Sequence, residues 1–158
     1  MELKVENIFN EFADGLVLVT AGNKDRYNTM TIGWGSLGTL WSKSICNVYV
    51  KKNRYTHNFM DTNECFTVSF FDKQYQKDLT ILGTKSGKDV DKVSLTSLTP
   101  LYKNNIVYFK EAKYTLVLKK IYTHNFNINA IPTELKDHYY SVEPEHTMYV
   151  GEVIEIIK

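Results

Sequence analysis

The sequence predicts a mainly β protein, a β-barrel with peripheral helices. Three observations carry that expectation. Short runs rich in β-branched and aromatic residues recur along the chain, separated by polar turns. The helical patches between them are brief. Their order, β-β-β-α-β-α-β-β-α-β, is not the regular alternation of a doubly wound sheet.

Gly15 to Thr20 is continuously apolar between polar turn residues, as a well-buried strand should be. Gly22 to Arg26 reads as a turn and Asn28 to Ile32 as its return strand, together a hairpin. Ile45 to Val50 and Cys65 to Phe71 follow, and in the latter Phe66, Val68 and Phe70 share one face. Tyr114 to Tyr122 and Met148 to Ile157 complete at least six strands, with Ile106 to Phe109 a candidate seventh. Asn53 is expected to cap a helix over 54–61, with Tyr55 and Phe59 on its inner face. Tyr75, Leu79 and Leu82 repeat at helical spacing, which predicts a helix over 74–82 ended by Gly83. A third helix is expected over 132–140, with Pro132 in its first turn.

At 158 residues the chain suits a single domain, 1–158, and 43% apolar content excludes disorder over most of it. A formal charge of +1 argues against a nucleic-acid surface. No stretch reaches the roughly 18 apolar residues of a spanning helix, and charge alternates from Met1 to Glu6, so a cytoplasmic protein away from membranes is expected. Cys46 and Cys65 read as two buried thiols, and the four histidines are scattered, so no metal site is expected. Core is the favoured place for Trp41 and for any one tyrosine. Only Arg26 and Arg54 are arginines among 19 basic residues. Arginine offers phosphate a planar fork where lysine offers a point charge.

Gly33-Trp34-Gly35-Ser36-Leu37-Gly38 matches the spacing of a dinucleotide fingerprint, but the following residues turn into another strand where a crossover helix is required. A Rossmann site fails on that context. Glycines beside Trp34 suit either the close approach of a flat ligand or a bent barrel corner filled by the indole, and the segment alone favours the corner. Lys51 to Thr56 joins a strand to a helix start, where Arg54, the Thr56 hydroxyl and free amides would favour an anion. Gly83 to Lys92 is a polar, glycine-hinged loop that fails as a P-loop because Asp89 follows Gly87-Lys88. No side-chain catalytic constellation is present, so any chemistry is expected from a bound cofactor.

The ordered set Asn28 to Gly35, Leu37 to Trp41, Arg54-Tyr55-Thr56 and Gly83 to Lys92 resembles the flavin reductase-like proteins with an FMN-binding split barrel, in particular the flavoredoxin branch. The resemblance implies a six-stranded split barrel, a homodimer and one FMN per subunit. It also implies that Asn28, Met30, Thr31, Ile32, Gly33 and Trp34 line the ring and ribityl chain. Arg54, Tyr55 and Thr56 would hold the phosphate, with Ser86, Lys88 and Lys92 as further contributors. The implied activity is that of a flavin reductase using NAD(P)H, or an electron carrier served by a redox protein. The alternatives are a small barrel that stacks nucleic-acid bases as an OB-fold does, or a flavin-storing protein without catalysis.

Overall fold

In the computed structural model, residues 2–5 and 7–158 are described; Met1 and Glu6 of the charged N-terminal run lie outside them. Helix α1 (Ile8–Ala13) leads into the hairpin β1 (Val17–Gly22) and β2 (Tyr27–Ile32). Strands β3 (Gly35–Leu40) and β4 (Lys43–Lys51) follow, then α2 (Tyr55–Thr62), β5 (Cys65–Phe70) and α3 (Gln76–Thr84). A short hairpin, β6 (Pro100–Lys103) and β7 (Ile106–Phe109), precedes the long strand β8 (Tyr114–Asn125), helix α4 (Thr133–Tyr140) and strand β9 (His146–Ile157).

Seven strands form one antiparallel sheet in the order β2-β1-β5-β8-β9-β4-β3. Its two edge strands are consecutive in the chain, and only Gly33 and Trp34 separate them. Two residues span less than about 10 Å. The sheet must therefore curl until its edges meet at that corner, which makes it a split barrel. The barrel has one strand more than the resemblance implied, because β2 and β3 are separate strands.

The interior is filled by Val17 and Val19 of β1, Val48 and Val50 of β4, Phe66, Val68 and Phe70 of β5, and Leu116 and Leu118 of β8. A second cluster on the outer face packs Leu18, Phe71 and Phe109 against Leu79 and Leu82 of α3. Burial on both faces explains why β1 reads as an unbroken apolar run. Gly35 owes its place to packing: a Cβ there would lie 2.3 Å from the Phe12 ring of α1.

Several expectations need correction. Arg54, not Asn53, is the N-cap of α2 and makes no side-chain cap bond; Asn53 donates instead to Glu143 at 3.2 Å. Gly83 lies inside α3, which ends at Thr84 with Lys85 as its C-cap, and residues 73–75 form a separate 3₁₀ turn. Pro132 is the N-cap of α4 rather than part of its first turn. Cys46 is buried, but Cys65 is only half-buried. Trp41 is 63% exposed, since it sits at the tip of the β3–β4 hairpin rather than in the core. The charged N-terminal run aside, no described helix is long and apolar enough to cross a membrane.

Candidate functional site

Strand β2 pairs only with β1, so one side of its backbone carries N–H and C=O groups outside the main ladder. Clefts follow one another along it. The first, about 170 Å³, lies against Met30, Thr31, Ile32, Gly33 and Trp34, and is closed by Tyr49, Lys51, Arg54 and His146. Trp34 is 46% exposed and forms a wall rather than core filling. Tyr139 meets it edge-on at 5.3 Å between ring centroids, and His146 lies 5.1 Å away.

His146 is buried, and its Nδ1 lies 2.7 Å from the Tyr140 hydroxyl. Burial, with Lys51 and Arg54 nearby, pulls its pKa down to about 4. The ring is thus neutral at pH 7, and the Tyr140 hydroxyl can donate to Nδ1.

The second cleft, about 120 Å³, adjoins the first through Met30 and Arg54. It gathers Asn28, the residues leading into α2 (Asn53 to Thr56), the end of α3 and the loop after it (Gly83 to Gly87), with Lys92 at its base. Asn28 Nδ2 donates to Thr56 Oγ1 at 2.8 Å, both residues being buried, which leaves the Thr56 hydroxyl proton available. The loop is held tightly: a Cβ on Gly87 would fall 2.1 Å from Asn28 Oδ1, so only glycine fits. Thr31 donates to the Leu79 carbonyl, which ties α3 to β2 and aims this loop.

The charges around this cleft are unusual. The Lys92 ammonium is buried and donates to the carbonyls of Leu82 at 2.8 Å and Lys85 at 3.0 Å. Burial, and then repulsion from Arg54, lower its pKa to about 8. Among the described residues neither Arg54 nor Lys92 forms a salt bridge. Glu143, close enough to feel Arg54, is engaged by Lys51 at 3.3 Å and by Asn53. Helix α2 adds first-turn amides with neither a side-chain cap nor an acidic residue. Two cations unmatched among the described residues and a helix N-terminus around one small cleft form a place for a phosphate.

Residues 9–157 match the family model described as flavin reductase like domain. The chain belongs to this family. No curated protein sequence matches it. Flavoredoxin from Methanosarcina acetivorans is similar over 100% of this chain and 75% of its own, with 25% identity and a TM-score of 0.73. An FMN-binding protein from Thermus thermophilus, with 1-cyclohex-2-enone bound, covers 100% of this chain and 78% of its own at 18% identity and TM-score 0.71. An NADH:FAD oxidoreductase from Streptomyces globisporus covers 91% and 74%, at 18% identity and TM-score 0.69. At 18% identity the last two speak to the fold alone.

In this flavin reductase-like chain, Met30, Thr31, Ile32, Gly33 and Trp34 line the first cleft, while Asn28, Tyr55, Thr56, Ser86 and Lys92 line the second and Arg54 borders both. Lys88 is exposed and lines neither; its amide closes a turn onto the Ser86 hydroxyl at 3.2 Å. His146 and Tyr49 escaped sequence reasoning, and Lys51 entered it only as the start of the Lys51 to Thr56 run. His146 reaches the site because β9 pairs with β4, placing it opposite Lys51, and no local pattern around any of the four histidines announces that pairing.

Proposed function

We propose that the protein is a flavin-dependent oxidoreductase that binds FMN, a flavin reductase using NAD(P)H or a flavoredoxin-like electron carrier served by a redox protein. The observation that carries this reading is the unmatched pair Arg54 and Lys92 in a phosphate-sized cleft that runs directly into the Trp34-walled cleft along β2. The phosphate monoester of FMN, close to dianionic at neutral pH, suits the first-turn amides of α2, the Arg54 fork, Thr56 and Lys92. Met30 lies between the two clefts, where a ribityl chain would pass. The free backbone edge of β2 from Thr31 to Trp34 offers donors and acceptors to the polar rim of a flat ring. When bound, the flavin supplies the redox chemistry, accepting a hydride and passing its electrons on.

The chain's own residues then bind, orient and exclude water. Trp34 and Tyr139 shield one side of the ring cleft. His146, held neutral, avoids adding a third charge beside Lys51 and Arg54. Nothing in this scheme requires a side chain to shuttle a proton. The reading includes a homodimer, as the family resemblance implies.

The purified protein should be yellow, or turn yellow with added FMN, and should run at twice its 18.3 kDa chain mass. Arg54→Ala should weaken FMN roughly tenfold or more and leave riboflavin, which lacks the phosphate, nearly unaffected. A protein that binds no flavin would refute the reading, and equal losses for FMN and riboflavin would refute the phosphate assignment. Anaerobic bleaching by NADH or NADPH separates a reductase from a carrier fed by a protein.

A further inference from the structure

The pole of the barrel away from Tyr49, Lys51 and His146 is open. A cleft of about 270 Å³ lies there against Leu3, Leu37, Ser44, Leu116, Val153 and Ile156, and it shares no lining residue with the ring or phosphate clefts. Ser44 stands near the start of β4 and Leu116 near the start of β8, while Val153 and Ile156 belong to the end of β9. Leu116 is part of the interior cluster, and Leu3, Leu37, Val153 and Ile156 pack against it. The cleft is therefore the mouth of the barrel's own apolar interior, a common place for a ligand.

A second cleft, about 380 Å³, meets this one at Leu3 and differs from it in chemistry: Lys4, Lys113 and Lys158 outnumber Glu2 on its walls. Lys113 is engaged by Glu11 at 3.0 Å, whereas Lys4 and Lys158 form no salt bridge among the described residues. Tyr114 also lines this cleft. Its ring stacks on Phe70 of the interior, 4.6 Å between centroids, and its hydroxyl is buried without a hydrogen-bond partner. Among the described residues only Asn47 Oδ1 shares that condition, which costs free energy until a partner arrives. Burial, and then Glu11 and Cys46, push the Tyr114 pKa up, so the hydroxyl keeps a proton to donate.

We propose that this open pole binds a medium-chain aliphatic carboxylate, its tail in the apolar cleft and its head among Lys4, Lys158 and the Tyr114 hydroxyl. The lysines select an anion, and a carboxylate can accept from ammonium and hydroxyl together. The apolar cleft is smaller than the roughly 300–1,000 Å³ of drug-sized sites, which limits the tail to a medium length. Each methylene buried there adds up to roughly fourfold in affinity. The proposal stands apart from the flavin reading, because the two sites have no lining residue in common.

Titration calorimetry with hexanoate, octanoate and 1-octanol tests it. Octanoate should bind the wild-type protein, hexanoate should bind more weakly by up to roughly fourfold per methylene removed, and 1-octanol, which has the tail without the charge, roughly tenfold more weakly. Tyr114→Phe should weaken octanoate roughly fivefold, yet leave the urea midpoint of the ligand-free protein no lower, because it removes a hydroxyl that has no partner. A hydroxyl with a purely structural role would lower that midpoint. Ser44→Trp, at the exposed rim of the apolar cleft, should block the tail, and Lys4→Ala, on the exposed N-terminal stretch, probes the head without touching the core if Ser44→Trp does not fold. No binding of octanoate, the result expected if a second copy of the chain covers this mouth, would overturn the proposal. So would equal affinities for octanoate and 1-octanol, or wild-type octanoate affinity in both Tyr114→Phe and Lys4→Ala.

Discussion

At Lys92 the fold keeps an ammonium among carbonyls with no carboxylate among the described residues to balance it. Its pKa of about 8, against an ordinary 10.5, gives the site a pH signature. Burial disfavours the charged form only in the folded chain. The resulting destabilisation is fully present below pH 8 and is relieved as pH rises from about 8 toward 10.5. Flavin binding runs the other way, because a phosphate needs the charge. FMN affinity should fall with rising pH above about 8, whereas riboflavin affinity stays flat, and Lys92→Gln should abolish the break. Fluorescence titration at several pH values checks this; an FMN profile parallel to that of riboflavin would contradict it. The sequence exposed Arg54 by scarcity and position, but it gave Lys92 no more prominence than its neighbours. Burial at the base of a cleft is a tertiary property, and so is the difference between Lys92 and the exposed Lys88.

The β3–β4 hairpin shows where local pattern fails. Gly35-Ser36-Leu37-Gly38-Thr39-Leu40 has neither β-branched density nor clean alternation, and its burial is correspondingly mixed. It is a strand because β4 pairs with it from Gly35↔Val48 to Leu40↔Lys43. The two turn residues both adopt left-handed backbone, Trp41 at φ 51° and Ser42 at φ 59°, the geometry of a two-residue hairpin turn that favours Asn-Gly. Ser42→Gly should therefore stabilise the protein by about 1 kcal/mol and leave flavin affinity unchanged. Urea unfolding at matched flavin occupancy measures it, and a lower midpoint would show that the serine side chain contributes something the backbone argument omits. By contrast β1, β5 and the buried stripe of α3 are legible, since double-sided burial and helical spacing leave continuous marks in the sequence.

At the scale of the whole molecule, the barrel's closure puts a titrating group in the core of a site far from it in the chain. Pairing of β9 with β4 brings His146 beside Lys51, and the corner at Gly33-Trp34 brings the indole onto it. His146 is buried beside Lys51 and Arg54 and accepts from Tyr140, so the folded chain resists its protonation down to about pH 4. The unfolded chain protonates it near 6.5. The unfolded state therefore binds more protons across that interval, and stability falls as pH drops from 6.5 toward 4. The full loss assignable to this residue is about 3 kcal/mol. His57, also pulled down by burial, adds a loss of the same sign. Replacing His146 by Gln, which can still accept from Tyr140 but cannot titrate, should flatten the acid limb of the stability curve by roughly that amount. Chemical denaturation between pH 4 and 7, in wild type and variant, decides it: identical limbs would mean that protonation of His146 does not govern the loss of stability in this range.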